Sequence, residues 1–202
     1  MILRSIAGLA ALLLLAAGNS ARAADKRYPD WPCQQLKVPE LSIAAIWPGF
    51  VPESASNAQE AYPGLDDLAA KLAARRTPME EAEKEIAQFV TGSPAEKKAR
   101  ASALFSKLFD MFSAQRFRVM NGIERAYRNQ KDFANKIRED AEKLRELQDK
   151  GEETAELQEL VQQVQWETRI FEDRRKTMTY ACEVPVLIDR RIFALARAIQ
   201  KA

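Results

Sequence analysis

The chain has 202 residues, 31 of them basic and 29 acidic, and it contains no histidine. That length suits one domain, and the near balance of charge argues against a nucleic-acid or membrane partner held by global electrostatics. The lack of histidine removes the usual general base and the commonest metal ligand.

Residues 1–23 read as a secretory signal peptide. Arg4 precedes an apolar run from Ile6 to Ala17, and Ala21-Arg22-Ala23 forms a small-x-small cleavage site. The run is too short to span a bilayer comfortably, with a retained anchor as the alternative. Removing the leader takes Arg4 and Arg22 from the 31 basic residues, leaving 29 against 29 acidic. The expected location is the periplasm, or outside the cell, with no stable membrane span after cleavage. Two cysteines, Cys33 and Cys182, lie near opposite ends of the mature chain. In an oxidising compartment such a pair reads as a disulfide, with free thiols or an intermolecular bridge as the alternative. Closing so long a loop stabilises a fold by about 4–5 kcal/mol in the chain-entropy argument.

Residues 24–64 form an extended, proline-rich strap. Pro29, Pro32, Pro39, Pro48, Pro52 and Pro63 exclude a long helix or a central strand. Aromatic residues between them, including Trp31 and Trp47, set this segment apart from a disordered leader. Both tryptophans fit core packing better than a partner site, and a short helical turn is expected near Ser42–Ile46.

Residues 65–202 form a helical domain. Leu65, Leu68, Ala69 and Leu72 share one helical face, in a helix expected to run to Arg76 with Arg75 and Arg76 in its last turn. Thr77-Pro78-Met79-Glu80 and Ser93-Pro94-Ala95-Glu96 each carry the signature of a capping box with proline at the first helical position. The first opens a helix of about four turns that stops at Gly92. The second opens an arm over 94–149, roughly 80 Å long at 1.5 Å per residue. From Val119 its apolar positions follow near-heptad spacing through Ile123, Ala126, Gln130, Phe133, Ile137, Ala141 and Leu144.

Gln148 to Glu152 is the turn, and a return arm follows over 152–184. Its seam is expected at Leu157, Leu160, Val164, Thr168, Phe171, Arg175, Met178 and Cys182. Pro185 should kink or end it, leaving a final helix over 186–201. Antiparallel pairing about the turn sets a ruler: opposed residues have numbers adding to about 303. The ruler places Cys182 opposite Asn121-Gly122, where glycine would let the Cys33 strap pass closely. The fold class is therefore all-α: a long antiparallel, coiled-coil-like helical hairpin with two short helices and an extended N-terminal strap. That shape is similar to periplasmic helical-hairpin chaperones and to hairpin adaptors of envelope complexes, in architecture alone.

Two groups of residues are candidates for interaction. The ruler sets Arg125 and Arg128 across from Arg174, Arg175 and Lys176. Farther upstream, Lys97, Lys98, Arg100, Lys107, Arg116 and Arg118 outnumber Glu96 and Asp110. Such a face would draw an anionic partner, although mixed charge on a long helix is more often simply solvated. Trp166 and Ile170 fall away from the seam marked by Val164 and Phe171. They need another cover: the short helices, the strap, a second copy of the chain or a partner protein.

No catalytic, cofactor-binding or metal-binding motif is present. There is no Cys-x-x-Cys, no Gly-x-Ser-x-Gly, no phosphate-binding glycine loop and no calcium loop of spaced acids. The sequence thus reads as a non-enzymatic protein-interaction factor acting on another periplasmic or envelope protein through the hairpin. The alternative is a ligand-binding or accessory module that recognises an anionic partner through the basic face.

Overall fold

A computed structural model describes residues 25–47, 62–151 and 154–202. The expected signal peptide at 1–23, the part of the strap at 48–61 and Glu152-Glu153 lie outside the described residues. Among the described residues the helices are, in order, α1 (Ile43–Ile46), α2 (Leu65–Ala73), α3 (Met79–Phe89), α4 (Pro94–Asp149) and α5 (Ala155–Lys201). No strand occurs among the described residues. The long pair α4 and α5 forms the antiparallel hairpin, and the short helices pack at its base.

The caps explain where the helices begin. Ser93 and Glu96 make the reciprocal capping box, with Pro94 at the first position. The Glu96 carboxylate accepts from the Ser93 amide and hydroxyl, both at 2.8 Å. Thr154 caps α5 by accepting from the Leu157 amide at 3.2 Å. The expected box at Thr77 does not form. Helix α3 starts at Met79 with no side-chain cap, because the Thr77 hydroxyl is turned inward and donates to Lys71 O at 2.7 Å. Helix α2 likewise ends at Ala73, so Arg75 and Arg76 lie beyond it. The carbonyl of Leu72 near its end instead accepts from Arg191 of α5, at 2.7 and 3.1 Å.

Pro185 does not end the return arm, and there is no separate final helix over 186–201. Helix α5 runs through the proline to Lys201. A proline removes one internal hydrogen bond, that to the carbonyl four residues before it. Here the buried core holds the helix on both sides of the break. Pro185 is itself buried, and Ile188, Ile192, Leu195 and Ile199 anchor the next turns. The strap also contributes next to the gap, where Gln35 Nε2 donates to Cys182 O.

The core occupies the base. Leu65, Leu72, Ile86, Leu104, Phe105, Leu108, Phe112, Ile192, Leu195 and Ile199 are all but inaccessible there. Trp47 stacks on Phe105 with ring centroids 4.4 Å apart. A smaller cluster higher up joins Trp31 to Met120 and Ile123, with Cys33, Met178 and Cys182 packed against it. Both strap tryptophans are therefore core residues. Above this level, among the described residues, α4 and α5 pack mainly on each other.

The register follows the expected ruler. Gln130 Nε2 donates to Phe171 O at 2.8 Å, Gln163 reaches Asp140 at 3.2 Å, and Lys136 bonds Glu167. The seam itself departs from expectation in the return arm. Thr168 and Arg175 stay exposed, whereas Glu167 is buried. A straight helix drifts against a strict seven-residue repeat, and that drift brings Glu167 inward in place of Thr168.

Candidate functional site: the two faces of the hairpin

The strap divides the hairpin into a covered face and an open face. Cys33 and Cys182 are joined, with Cα atoms 5.5 Å apart and a sequence separation of 149. From there the strap runs antiparallel along α4, held mainly by charged contacts. Asp30 accepts from Arg128 at 3.3 Å and Lys131 at 2.6 Å, and those bonds hold the Asp30 carboxyl below its ordinary range, Lys131 contributing most. Lys37 pairs with Glu124 and lies over the Tyr28 ring. The Trp31 indole donates to Gln35 O at 2.7 Å.

Arg116 is the most buried basic side chain among these ties. It is buried, binds Asp189 of α5 at 2.9 Å and donates to the strap carbonyls of Val38 and Pro39. Burial of Asp189 pushes its carboxyl pKa up, against the opposing pull of Arg116. A side chain expected on a basic outer face thus joins three segments internally. Lys107 is also taken, by Asp66 at 2.6 Å.

The five basic residues gathered by the ruler do not form one patch. Arg128 belongs to Asp30 of the strap. Lys176 pairs with Asp173 at 3.3 Å. The Arg174 guanidinium lies 4.8 Å from the Phe133 ring centroid. Arg175 reaches the strap-side cleft beside Tyr127 and Gln130, a space of about 750 Å³. Arg125 is exposed with no ion pair among the described residues. Being at one height along a hairpin does not place side chains on one face.

The other face carries an apolar groove of about 640 Å³ between α4 and α5. Val119, Gly122, Ile123 and Ala126 form one wall, and Ile170, Met178, Ala181 and Val184 form most of the other. Gly122 is not where the strap passes: a Cβ added there meets nothing within 4 Å. The residues of α4 that touch the strap, such as Met120 and Glu124, point to the opposite side of the helix at 100° per residue. Trp166, one turn before Ile170 on the same face, is 62% exposed and continues the groove toward the hairpin tip. Of the sequence candidates, Ile170, Arg174, Arg125 and Trp166 lie along this groove. Arg128 and Arg175 do not.

Nearer the tip lies a buried polar layer that hydrophobic spacing could not reveal. Asp140 and Glu167 are both buried and share the Lys136 ammonium. The Lys136 bond lowers the Asp140 pKa. Gln163 donates to both carboxylates, at 3.2 and 3.1 Å, whereas Glu167 Oε2 finds no partner. No three His, Cys, Asp or Glu side chains converge as a metal site among the described residues. No described helix is long and apolar enough to cross a membrane. No family model, curated protein or solved structure matches the chain.

Proposed function

We propose that this protein is a non-catalytic interaction factor of an oxidising compartment, the periplasm, which holds another envelope protein against its hairpin. It would serve as an assembly factor, a chaperone-like holder or a structural subunit. The observation that carries this reading is the open apolar groove between α4 and α5, extended by the exposed Trp166. Apolar surface of this kind gains free energy when a partner covers it. Aromatic side chains such as Trp166 are favoured anchors at protein interfaces. The disulfide and the strap brace the base, so the groove walls are presented on rigid helices.

The test is retention of a partner by the full chain purified from the periplasm. Ile170→Asp should abolish co-purification of a partner while leaving helicity and melting temperature near wild type. Undiminished retention by that variant would remove the groove from consideration. Recognition of an anionic partner by a basic patch is less well supported, since Arg128 and Lys176 are already paired with acids of this chain. If that alternative holds, Arg125→Glu with Arg128→Glu and Arg174→Glu should weaken binding in a salt-dependent way, and Ile170→Asp should not.

A further inference from the structure

We infer that the groove seats an acidic amphipathic helix from a different protein. The inference rests on the reading of the groove as a docking surface and specifies its occupant. Backbone chemistry decides first that the occupant is a helix. Both walls are α-helices whose amides and carbonyls are already bonded within the helix. They offer no free edge to an extended peptide, whose own backbone groups would be left without partners in an apolar groove. A helix satisfies its backbone internally and needs only an apolar stripe.

The dimensions agree. From Trp166 to Val184 the open face of α5 runs about 27 Å at 1.5 Å per residue, matching a docked helix of about five turns. The opposite wall carries small residues, Gly122 and Ala126, which admit a close approach. No described residue lies within 4 Å of a Cβ built at Gly122, so packing among the described residues gives no reason for glycine in the middle of α4. A docked helix would use that space.

Charge then selects the kind of helix. Arg118 and Arg125 flank Gly122 along the outer edge of α4, and Arg169 lies on the outer edge of α5. All three are exposed, with no ion pair among the described residues. Asp173, the acid on the groove wall, is taken by Lys176. An apolar stripe bordered by Glu or Asp complements this rim. A second copy of the chain does not, because a two-fold contact would set the same arginine edges against each other.

The test uses the disulfide-intact full chain and a synthetic probe of about 18 residues, with Leu at i, i+3, i+4 and i+7 and Glu along both flanks. A twin peptide carries Lys in place of Glu, and a third has Pro at its centre. Binding is read from the emission of Trp166, assigned by its loss in Trp166→Phe. The Glu peptide should bind roughly tenfold or more tightly than the Lys twin, with a margin that shrinks as salt rises. Arg125→Glu with Arg169→Glu should reverse the preference. Gly122→Leu should weaken the Glu peptide roughly tenfold without loss of helicity.

Equal binding of the two peptides, no binding of either, or undiminished binding of the Pro peptide would each overturn the inference. So would sedimentation showing a dimer that Gly122→Leu dissociates, since the occupant would then be a second copy. Should Ile170→Asp release the natural partner while the peptides show no preference, only the acidic-helix inference fails. If Ile170→Asp leaves that partner bound, the docking surface itself fails.

Discussion

The base and the distal hairpin are built from the same two helices, yet they are held by different forces. At the base, α4 and α5 are two members of a packed assembly with α1, α2, α3 and the strap, closed by Cys33–Cys182. Farther out, among the described residues, the helices pack mainly on each other, and much of their contact is polar: Gln130 to a backbone carbonyl, Arg174 on Phe133, and the Lys136, Asp140, Gln163 and Glu167 layer. Two helices alone cannot enclose a thick apolar core, so polar contacts fix their register while leaving apolar surface uncovered. A rigid foot thus presents an open face.

The largest expected effect on this contrast comes from the staple. Cys33→Ser should lower the free energy of unfolding by about 4–5 kcal/mol, since the bridge closes a loop with a sequence separation of 149. Denaturant titration with and without reductant measures it. A loss below about 1 kcal/mol would mean that the strap needs no covalent tie to hold the foot together.

Equal truncations in the two regions should have unequal effects. Ile192 has no accessible surface, and Ile192→Ala should destabilise by about 3 kcal/mol, in the range for a buried large-to-small change. Ile137 on the distal seam is half-buried, and Ile137→Ala should lose only about 1 kcal/mol. Similar values for both would erase the distinction between the regions.

Acid should weaken the distal layer. The Asp140 pKa is depressed by Lys136 below the usual 3.8. A carboxyl whose folded pKa is depressed contributes stability above its unfolded pKa and loses it as pH falls through the folded value. Distal helicity should therefore decline below about pH 4, and Asp140→Asn should flatten that decline. Circular dichroism during acid titration of the two proteins decides the matter. An unchanged acid limb in the variant would assign the acid sensitivity elsewhere.

The smallest effect should be a gain. Gly122→Ala adds a methyl group where nothing lies within 4 Å, so it should stabilise the chain by about 1 kcal/mol through helix propensity alone. A fall in melting temperature would show that some part of the chain does occupy that space.

Much of the architecture could be read from the sequence because its signals are local. The Ser93–Glu96 box, the Gln148–Glu152 break and the 3.5-residue spacing each act within a few residues, and together they predict the hairpin and its register. The pairing of Cys33 with Cys182 follows from the expected compartment and the count of two cysteines. Thr77 misled because its hydroxyl answers to the distant Lys71 carbonyl rather than to its own helix. Pro185 misled for a similar reason: Ile188, Ile192 and the rest of the buried face keep α5 helical beyond it. The site was half legible. Trp166 and Ile170 stood out as apolar residues off the seam, whereas the groove depends on which side of α4 the strap covers. Asp30, Gln35 and Arg116 determine that choice across long sequence separations, beyond the reach of periodicity.

If the face away from the strap is the docking surface, Trp166 and Phe117 form a matched pair for testing it. Their exposures are nearly equal, 62% and 64%, but only Trp166 lies on the groove side. A photo-crosslinking amino acid placed at either position in the full chain, and activated in living cells, gives the direct measurement. A discrete crosslinked partner band from position 166 and none from position 117 is the predicted result. Equal crosslinking from both positions, or a band from position 117 alone, would contradict it.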